Sequence, residues 1–233
     1  MSKQQDIISM FDNIASTYDT TNRVISFGID QNWRNKACRQ VFSILGKQKI
    51  TSIVDVACGT GDMILSWQKI SKKQNIDIEK YIGIDPSLKM LDIAKNKIPN
   101  ATFLKGDATY IPCSDVDIVS ISYGLRNVVQ RTEALSEIYN TLKKDGLFVI
   151  LEFTKPDKKT FVSHIRNFYM NKVLPFVGGV LSKDFSAYKY LPESIVGFIT
   201  TKELCFELEK VGFKIEYSKG YSYNISTTII ARK

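Results

Sequence analysis

Residues 54–62 read VDVACGTGD: a β-branched run around Asp55, two glycines one residue apart, Gly59 and Gly61, and then a second acid, Asp62. A strand that breaks into glycines before a helix lets backbone approach a ligand, and a dinucleotide fingerprint adds a third glycine for tight helix packing. Here that third position is Ile64. Asp62 falls in the first helical turn, where its charge suits the helix dipole but would repel a pyrophosphate arriving at the same amides. A nucleoside without phosphates fits better. S-Adenosylmethionine, with an adenosine, a sulfonium cation and an amino-acid end, is such a ligand, and Asp55, Gly59 and Gly61 are its expected cradle.

From residue 51 onward, short β-branched runs alternate with helical patterns. SIVDVAC is followed by a helix from about Asp62, YIGID by a helix from about Ser87, then come TFLKGD, VDIVSIS, a helix through ALSEIYNTLKK, and GLFVILEF. Such alternation predicts βαβ units in an α/β, Rossmann-like fold: a seven-stranded, mostly parallel sheet with helices on both faces and the site at the carboxyl ends of the strands. A final helix, TKELCFELEKVG, precedes FKIEYSK and STTIIAR, which form a hairpin at one edge.

Two strand ends extend the cofactor reading. Asp85 closes YIGID, where a carboxylate can accept from both ribose hydroxyls. It lies 26 residues after Gly59, and the polar segment SKKQNIDIEK is expected to absorb the excess as a surface extension. Asp107 closes the third strand in GDA, placed to take the adenine amino group while the amide of Ala108 meets a ring nitrogen. Either acid alone is equally suited to cap a helix; their succession at strand ends is the signal.

Outside the sheet, Ile7, Phe11, Ile14 and Tyr18 recur at spacings of four, three and four, so one helix face is apolar. Residues 1–50 are expected as an N-terminal helical lid, with a second helix from about Asp30, and 51–233 as the catalytic domain. An insertion at about 155–198 would complete a cap, all within a single structural domain. The chain's 233 residues and 44% hydrophobic content suffice for one such core. No signal peptide or run of ~20 apolar residues is visible, so a cytoplasmic location is expected. Cys38, Cys58, Cys113 and Cys205 are too scattered for a metal or disulfide framework, and no metal is expected. The net charge of +8 is concentrated in 155–189, where seven Lys or Arg face two acids. Contact with the inner face of the cell membrane is one reading of that segment, a solvated face the other.

The segments MFDNIASTYDTTNRVISFGIDQNWR, VDVACGTGD, ISYGLRNV, LEFTKP and YKYLPESI resemble, in that order, the bacterial menaquinone and ubiquinone biosynthesis C-methyltransferases. The resemblance runs from Met10 to about Gly212, and SYGLRN and YKYLPESI are its specific pieces. It implies a class I S-adenosylmethionine-dependent methyltransferase with cofactor contacts at Thr60, Asp85, Asp107, Ala108 and Ser122. It also implies a polyprenyl quinol substrate, demethylmenaquinol before a methoxybenzoquinol of the ubiquinone pathway. The chain departs from the family in its closing strand, STTIIARK in place of a segment like GIVALH. It also lacks a proline ahead of the last helix.

Methylating a ring carbon requires an electron-rich ring, which a hydroquinone becomes when the neighbouring hydroxyl ionises. A phenol of pKa ~10 is neutral at pH 7 and needs help. Arg126 and Asn127, after the fourth strand, are the catalytic candidates: a guanidinium to lower the phenol pKa, an amide to orient the hydroxyl or a water. Tyr18 and Asp19 on the lid, with Tyr123 and Tyr188, are candidates for closing over cofactor or substrate. Tyr169 and Tyr190 could likewise contact the ring, with core packing the plainer reading at these spacings, and the only histidine, His164, is read as a surface residue. An amino-methylating nucleic-acid enzyme would carry two prolines after an Asn or Asp following strand four, where this chain reads SYGLRN, so no nucleic-acid partner is expected. A non-catalytic cofactor-binding module is the other rival, and Arg126 and Asn127 argue against it. A homo-oligomer is left open.

Overall fold

A computed structural model describes residues 2–155, 174–182, 184–222 and 224–233. Its strands are β1 (Lys49–Val56), β2 (Asp77–Asp85), β3 (Thr102–Lys105), β4 (Val116–Ser122), β5 (Leu142–Glu152), β6 (Lys214–Tyr221) and β7 (Ser226–Arg232). They form one sheet in the order β3-β2-β1-β4-β5-β7-β6. The first five run parallel, and β7 is antiparallel to both β5 and β6, so the C-terminal hairpin sits at one edge with β6 outermost. Strand order reverses between β1 and β4, which opens a crevice at their carboxyl ends.

Both central strands are almost wholly buried, which is why they read as continuous apolar runs rather than alternating ones. Helices α2 (Ile29–Leu45) and α3 (Asp62–Gln74) bring Ala37, Cys38, Val41, Phe42 and Trp67 onto Ile53 and Ile118. A separate core joins α5 (Arg131–Thr141) and α8 (Thr201–Val211), through Leu135, Ile138, Leu204 and Leu208, to Val119 and Phe148. Helix α4 (Leu88–Lys97) starts at Ser87, whose hydroxyl accepts from the amide of Met90. The missing proline before α8 is replaced by a capping box: Thr200 accepts from the Glu203 amide and the Glu203 side chain reaches back.

Several boundaries differ from expectation. The segment SKKQNIDIEK is no surface extension: it is the last turn of α3, a left-handed turn at Asn75 and the first half of β2. Helix α5 stops at Thr141, because Leu142 already pairs with Val116 in β5. Helix α1 (Lys3–Ile25) lies over the crevice, whereas most of α2 belongs to the layer against the sheet. The cap is described through α6 (Leu174–Ser182) and α7 (Phe185–Val196). His164, Tyr169 and much of the basic stretch lie outside the described residues.

Candidate active site

The loop from β1 to α3 carries three left-handed residues, Ala57 (φ 52°), Gly59 (φ 53°) and Gly61 (φ 86°). At Gly61 the requirement is double, since a Cβ there would lie 2.6 Å from Cδ1 of Ile98. Gly59 faces open space instead, and its amide donates to the Asp85 carboxylate at 2.8 Å. Ile64, at the position of the absent third glycine, is buried against Leu91, Ala94 and Ile98, so an apolar side chain fills the gap between α3 and α4.

A cavity enclosing about 860 Å³ of empty space, part of it open to solvent, lies at the carboxyl ends of β1, β2 and β4. Gly59, Asp85, Asp107, Ala108, Ser122, Tyr123 and Asn127 line it, under Phe11 and Tyr18 of α1. Asp85 accepts from the amides of Gly59 and Ser87, each at 2.8 Å, which leaves one lone pair on each oxygen for a further donor. Burial pushes its carboxyl up to about 6 against the pull of those two bonds. Asp107 accepts from the amide and hydroxyl of Thr109. The Ser122 hydroxyl is buried without a partner. An unsatisfied hydroxyl, a carboxylate with spare acceptor sites and glycine backbone on one cavity wall fit a nucleoside carrying hydroxyl and amino groups.

Not every expected contact reaches the cavity. Asp55 lies beneath the loop, 1% exposed, accepting from the Ser120 hydroxyl at 2.6 Å, and burial raises its carboxyl to about 7. Thr60 and Gly61 also stand off the wall. Thr60 donates instead to Asp19 at 2.5 Å, and Lys97 reaches Asp19 (2.6 Å), Asp62 (3.0 Å) and Thr60 (3.2 Å). Arg23 of α1 bridges Asp62 and Asp30, and Arg34 pairs with Asp30 at 2.5 Å. Burial opposes ionisation of Asp62, but the charges of Arg34, Lys97 and Arg23 outweigh it and hold the carboxyl at about 2. Asp19 therefore fastens the lid to the glycine loop from outside the cavity. Asp12 adds a second fastening by accepting from Ser87 at 2.5 Å.

A second, more apolar cavity adjoins the first and shares Phe11, Tyr18 and Tyr123 with it. Met10, Ile14, Trp33, Phe153, Tyr188 and Leu191 contribute to its wall, together with two guanidinium groups, Arg34 and Arg126. Arg126 is locked in place: it donates to Glu152 at 2.7 Å, to the Tyr123 carbonyl at 2.6 Å and, through Nε, to Ser194 at 3.2 Å. Asn127 accepts from the Tyr190 hydroxyl at 3.0 Å. The segments SYGLRN and YKYLPESI thus meet across the site. Tyr123 turns the chain at the end of β4 with φ 59°, stacks on Phe153 and has the Arg34 guanidinium 5.1 Å from its ring centroid. Burial raises the hydroxyls of Tyr18, Tyr123 and Tyr188 above the ordinary tyrosine value, so each stays protonated at neutral pH.

Over residues 1–233 the sequence matches the family model described as the ubiE/COQ5 methyltransferase family. The chain belongs to the ubiE/COQ5 methyltransferase family. It is 49% identical, over 100% of both chains, to a Campylobacter jejuni protein named ubiquinone/menaquinone biosynthesis C-methyltransferase UbiE. It is 35% identical to the Thermotoga maritima demethylmenaquinone methyltransferase, covering 89% of this chain and 88% of that protein. Solved SAM-dependent methyltransferases from Thermotoga maritima (22% identity, TM-score 0.60, 97% of this chain and 99% of that one) and Aquifex aeolicus (17%, 0.57, 84% and 88%) share the fold. Membership of the ubiE/COQ5 family makes this chain an S-adenosylmethionine-dependent C-methyltransferase of class I fold.

Two members of the site escaped the sequence reading. Glu152, 1% exposed, is the partner of Arg126, and an acid ending the apolar run 147–151 of β5 was its signal. Arg34 left only a weak trace, its spacing of four from Asp30 on one helix.

Proposed function

We propose that this enzyme methylates the ring of a polyprenyl quinol, demethylmenaquinol to menaquinol, with the cofactor in the first cavity and the quinol ring in the second. The observation that carries the reading is the junction itself: an apolar, aromatic-walled cavity opens onto the cofactor cavity at Phe11, Tyr18 and Tyr123 and carries two guanidinium groups. Asp85 would hold the ribose hydroxyls, Asp107 and Ala108 the adenine edge, and Gly59 and Ser122 the remainder. S-Adenosylmethionine, when bound, supplies an electrophilic methyl group.

What the protein's residues do follows from their surroundings. The aromatic walls exclude water and position the acceptor. Arg126 and Arg34 stabilise negative charge on the acceptor oxygen in a low-dielectric pocket, which lowers the phenol pKa. Arg34 has its Nε buried without a partner, a donor available to that oxygen. Asn127, oriented by Tyr190, directs the acceptor hydroxyl. Contact with a bilayer surface fits a substrate with an apolar tail, and among the described residues no helix is long and apolar enough to cross a membrane.

The test is methyl transfer from labelled S-adenosylmethionine to reduced demethylmenaquinol and to a reduced methoxybenzoquinol, wild type beside Arg126→Ala, with cofactor binding followed by calorimetry. Methylation of the naphthoquinol, lost in a variant that still binds cofactor, is expected. Cofactor binding without methylation of either quinol would remove the acceptor from the proposal.

A further inference from the structure

The turn between α1 and α2 displays apolar residues where a water-soluble surface would hide them. Phe27 is 80% exposed, flanked by Val24 at 47% and Ile29 at 43%. Phe27 has φ 51°, a left-handed conformation that a bulky side chain adopts rarely. Three backbone bonds fix the turn: Phe27 N–H to Val24, Gly28 N–H to Arg23 and Ile29 N–H to Ser26, at 3.0 to 3.1 Å. Ser26 and Arg23 are themselves tied to Asp30. The protrusion is therefore held rigidly rather than frayed.

Phe27 and Ile29 also line the second cavity, as do Ser222 and Ile225 from the turn between β6 and β7, so this apolar turn is the rim of the proposed acceptor site. Along α2 the exposed positions Ile29, Asn32, Lys36, Arg39 and Ser43 recur at spacings of three, four, three and four, which makes them one helix face. The face starts apolar at the rim and becomes basic about 10 Å further on. Lys36 and Arg39 share a groove there with Lys219 and Tyr221, and among the described residues no carboxylate lines it. Lys36 stands 5.6 Å over the ring of Tyr221, the neighbour of Ser222 at the rim.

We infer that this face is a membrane-docking surface for an anionic bilayer: the Val24–Ile29 turn enters the headgroup boundary, Lys36, Arg39 and Lys219 meet anionic headgroups, and the second cavity opens at the point of insertion. The occupant follows from the pairing of an apolar tip with flanking cations, which suits an interface with an apolar interior and an anionic surface. The inference rests on the acceptor reading only for what enters the cavity; the surface stands on its own residues. It also places contact in the described part of the chain instead of the basic stretch 155–189.

Flotation with vesicles of phosphatidylcholine alone and of phosphatidylcholine with phosphatidylglycerol tests it, on the full chain, on Lys36→Glu/Arg39→Glu and on Phe27→Ser. The wild type is expected to float with the anionic vesicles, the charge-reversal pair at least tenfold more weakly, and Phe27→Ser more weakly as well. A wild type that floats with neither vesicle overturns the inference, as does a charge-reversal pair that floats like the wild type. Unchanged flotation of Phe27→Ser overturns the inserted turn and leaves a bare anion-binding patch. Methyl transfer to a short-tailed quinol in buffer, run in parallel, keeps the two readings apart. The charge-reversal pair should retain its rate there and lose it on quinol delivered in vesicles. Methylation without flotation removes the surface alone, and flotation without methylation of any quinol removes the acceptor alone.

Discussion

Replacing Glu152 by Gln deletes one charge from an ion pair whose side chains are 1% and 7% exposed. Glutamine keeps the volume, but the amides of Arg126 and Phe153 donate to different oxygens of Glu152, so its NH2 group must also face one of those N–H donors, and a lost hydrogen bond adds to the lost charge. Arg126 stays buried with no counter-charge, a change that costs about 3–5 kcal/mol. For a chain of this length each kcal/mol is worth ~2–4 °C, so Tm should fall by roughly 6–20 °C. Removing both charges, as Arg126→Met with Glu152→Gln, should restore most of that loss, because no uncompensated ion remains. Calorimetric unfolding of the wild type, both single variants and the double variant measures the cycle. Repeating it in 0.5 M salt should leave the differences in place, since a buried pair is poorly screened. A single variant within about 1 kcal/mol of the wild type, or a double variant no more stable than Glu152→Gln, would refute the view that Glu152 holds Arg126 by charge.

Cofactor affinity should depend on pH through Asp85. Burial pushes its carboxyl up to about 6, which leaves it ionised at pH 7 and gaining a proton as pH falls through that value. The carboxylate proposed to accept the ribose hydroxyls is then lost, and the dissociation constant should rise up to tenfold per pH unit below about 6. Calorimetry should find that dependence in the wild type and a weak, flat affinity in Asp85→Asn. Gly61→Ala should lower stability by more than the ~1 kcal/mol of an ordinary left-handed alanine, because its methyl would also press on Ile98. Trimming Ile98 to Val in the same chain should recover part of the loss in thermal unfolding, and no recovery would mean the strain is in the backbone alone.

Features encoded over short distances were readable from the chain. The β-branched runs announced every strand, and β7 coincides with STTIIAR because its boundaries are set by the turn before it and its pairing to both β5 and β6. Asp85 stood out through its place in a succession of acids at strand ends, and the structure shows it accepting from the amides of Gly59 and Ser87. Helix α5 was read too long because its end is decided by Val116, twenty-six residues earlier, which draws Leu142 into the sheet. Pairing over a long stretch of chain likewise hid the contact of Glu152 with Arg126 and that of Thr60 with Asp19 of α1. Local patterns carry the sheet; partners far apart in sequence decide which way a site residue points.

Those long-range partners also set the electrostatics of the site. Arg126 was read from sequence as a bare guanidinium, but it arrives with Glu152 attached, and Arg23, Arg34 and Lys97 arrive with Asp19, Asp30 and Asp62. Four cations face four carboxylates. An acceptor oxyanion has to form close to a cationic methyl donor, and unmatched guanidinium groups would hold the first while repelling the second. With Arg34 and Arg126 already paired, the wall of the second cavity offers directed N–H donors and little net charge, so in the proposed reaction it would steady the oxyanion without expelling the donor. Under the proposed reaction a buried carboxylate beside Arg126 is therefore an asset: Glu152 offsets the guanidinium charge and leaves Arg126 to act through its directed N–H donors.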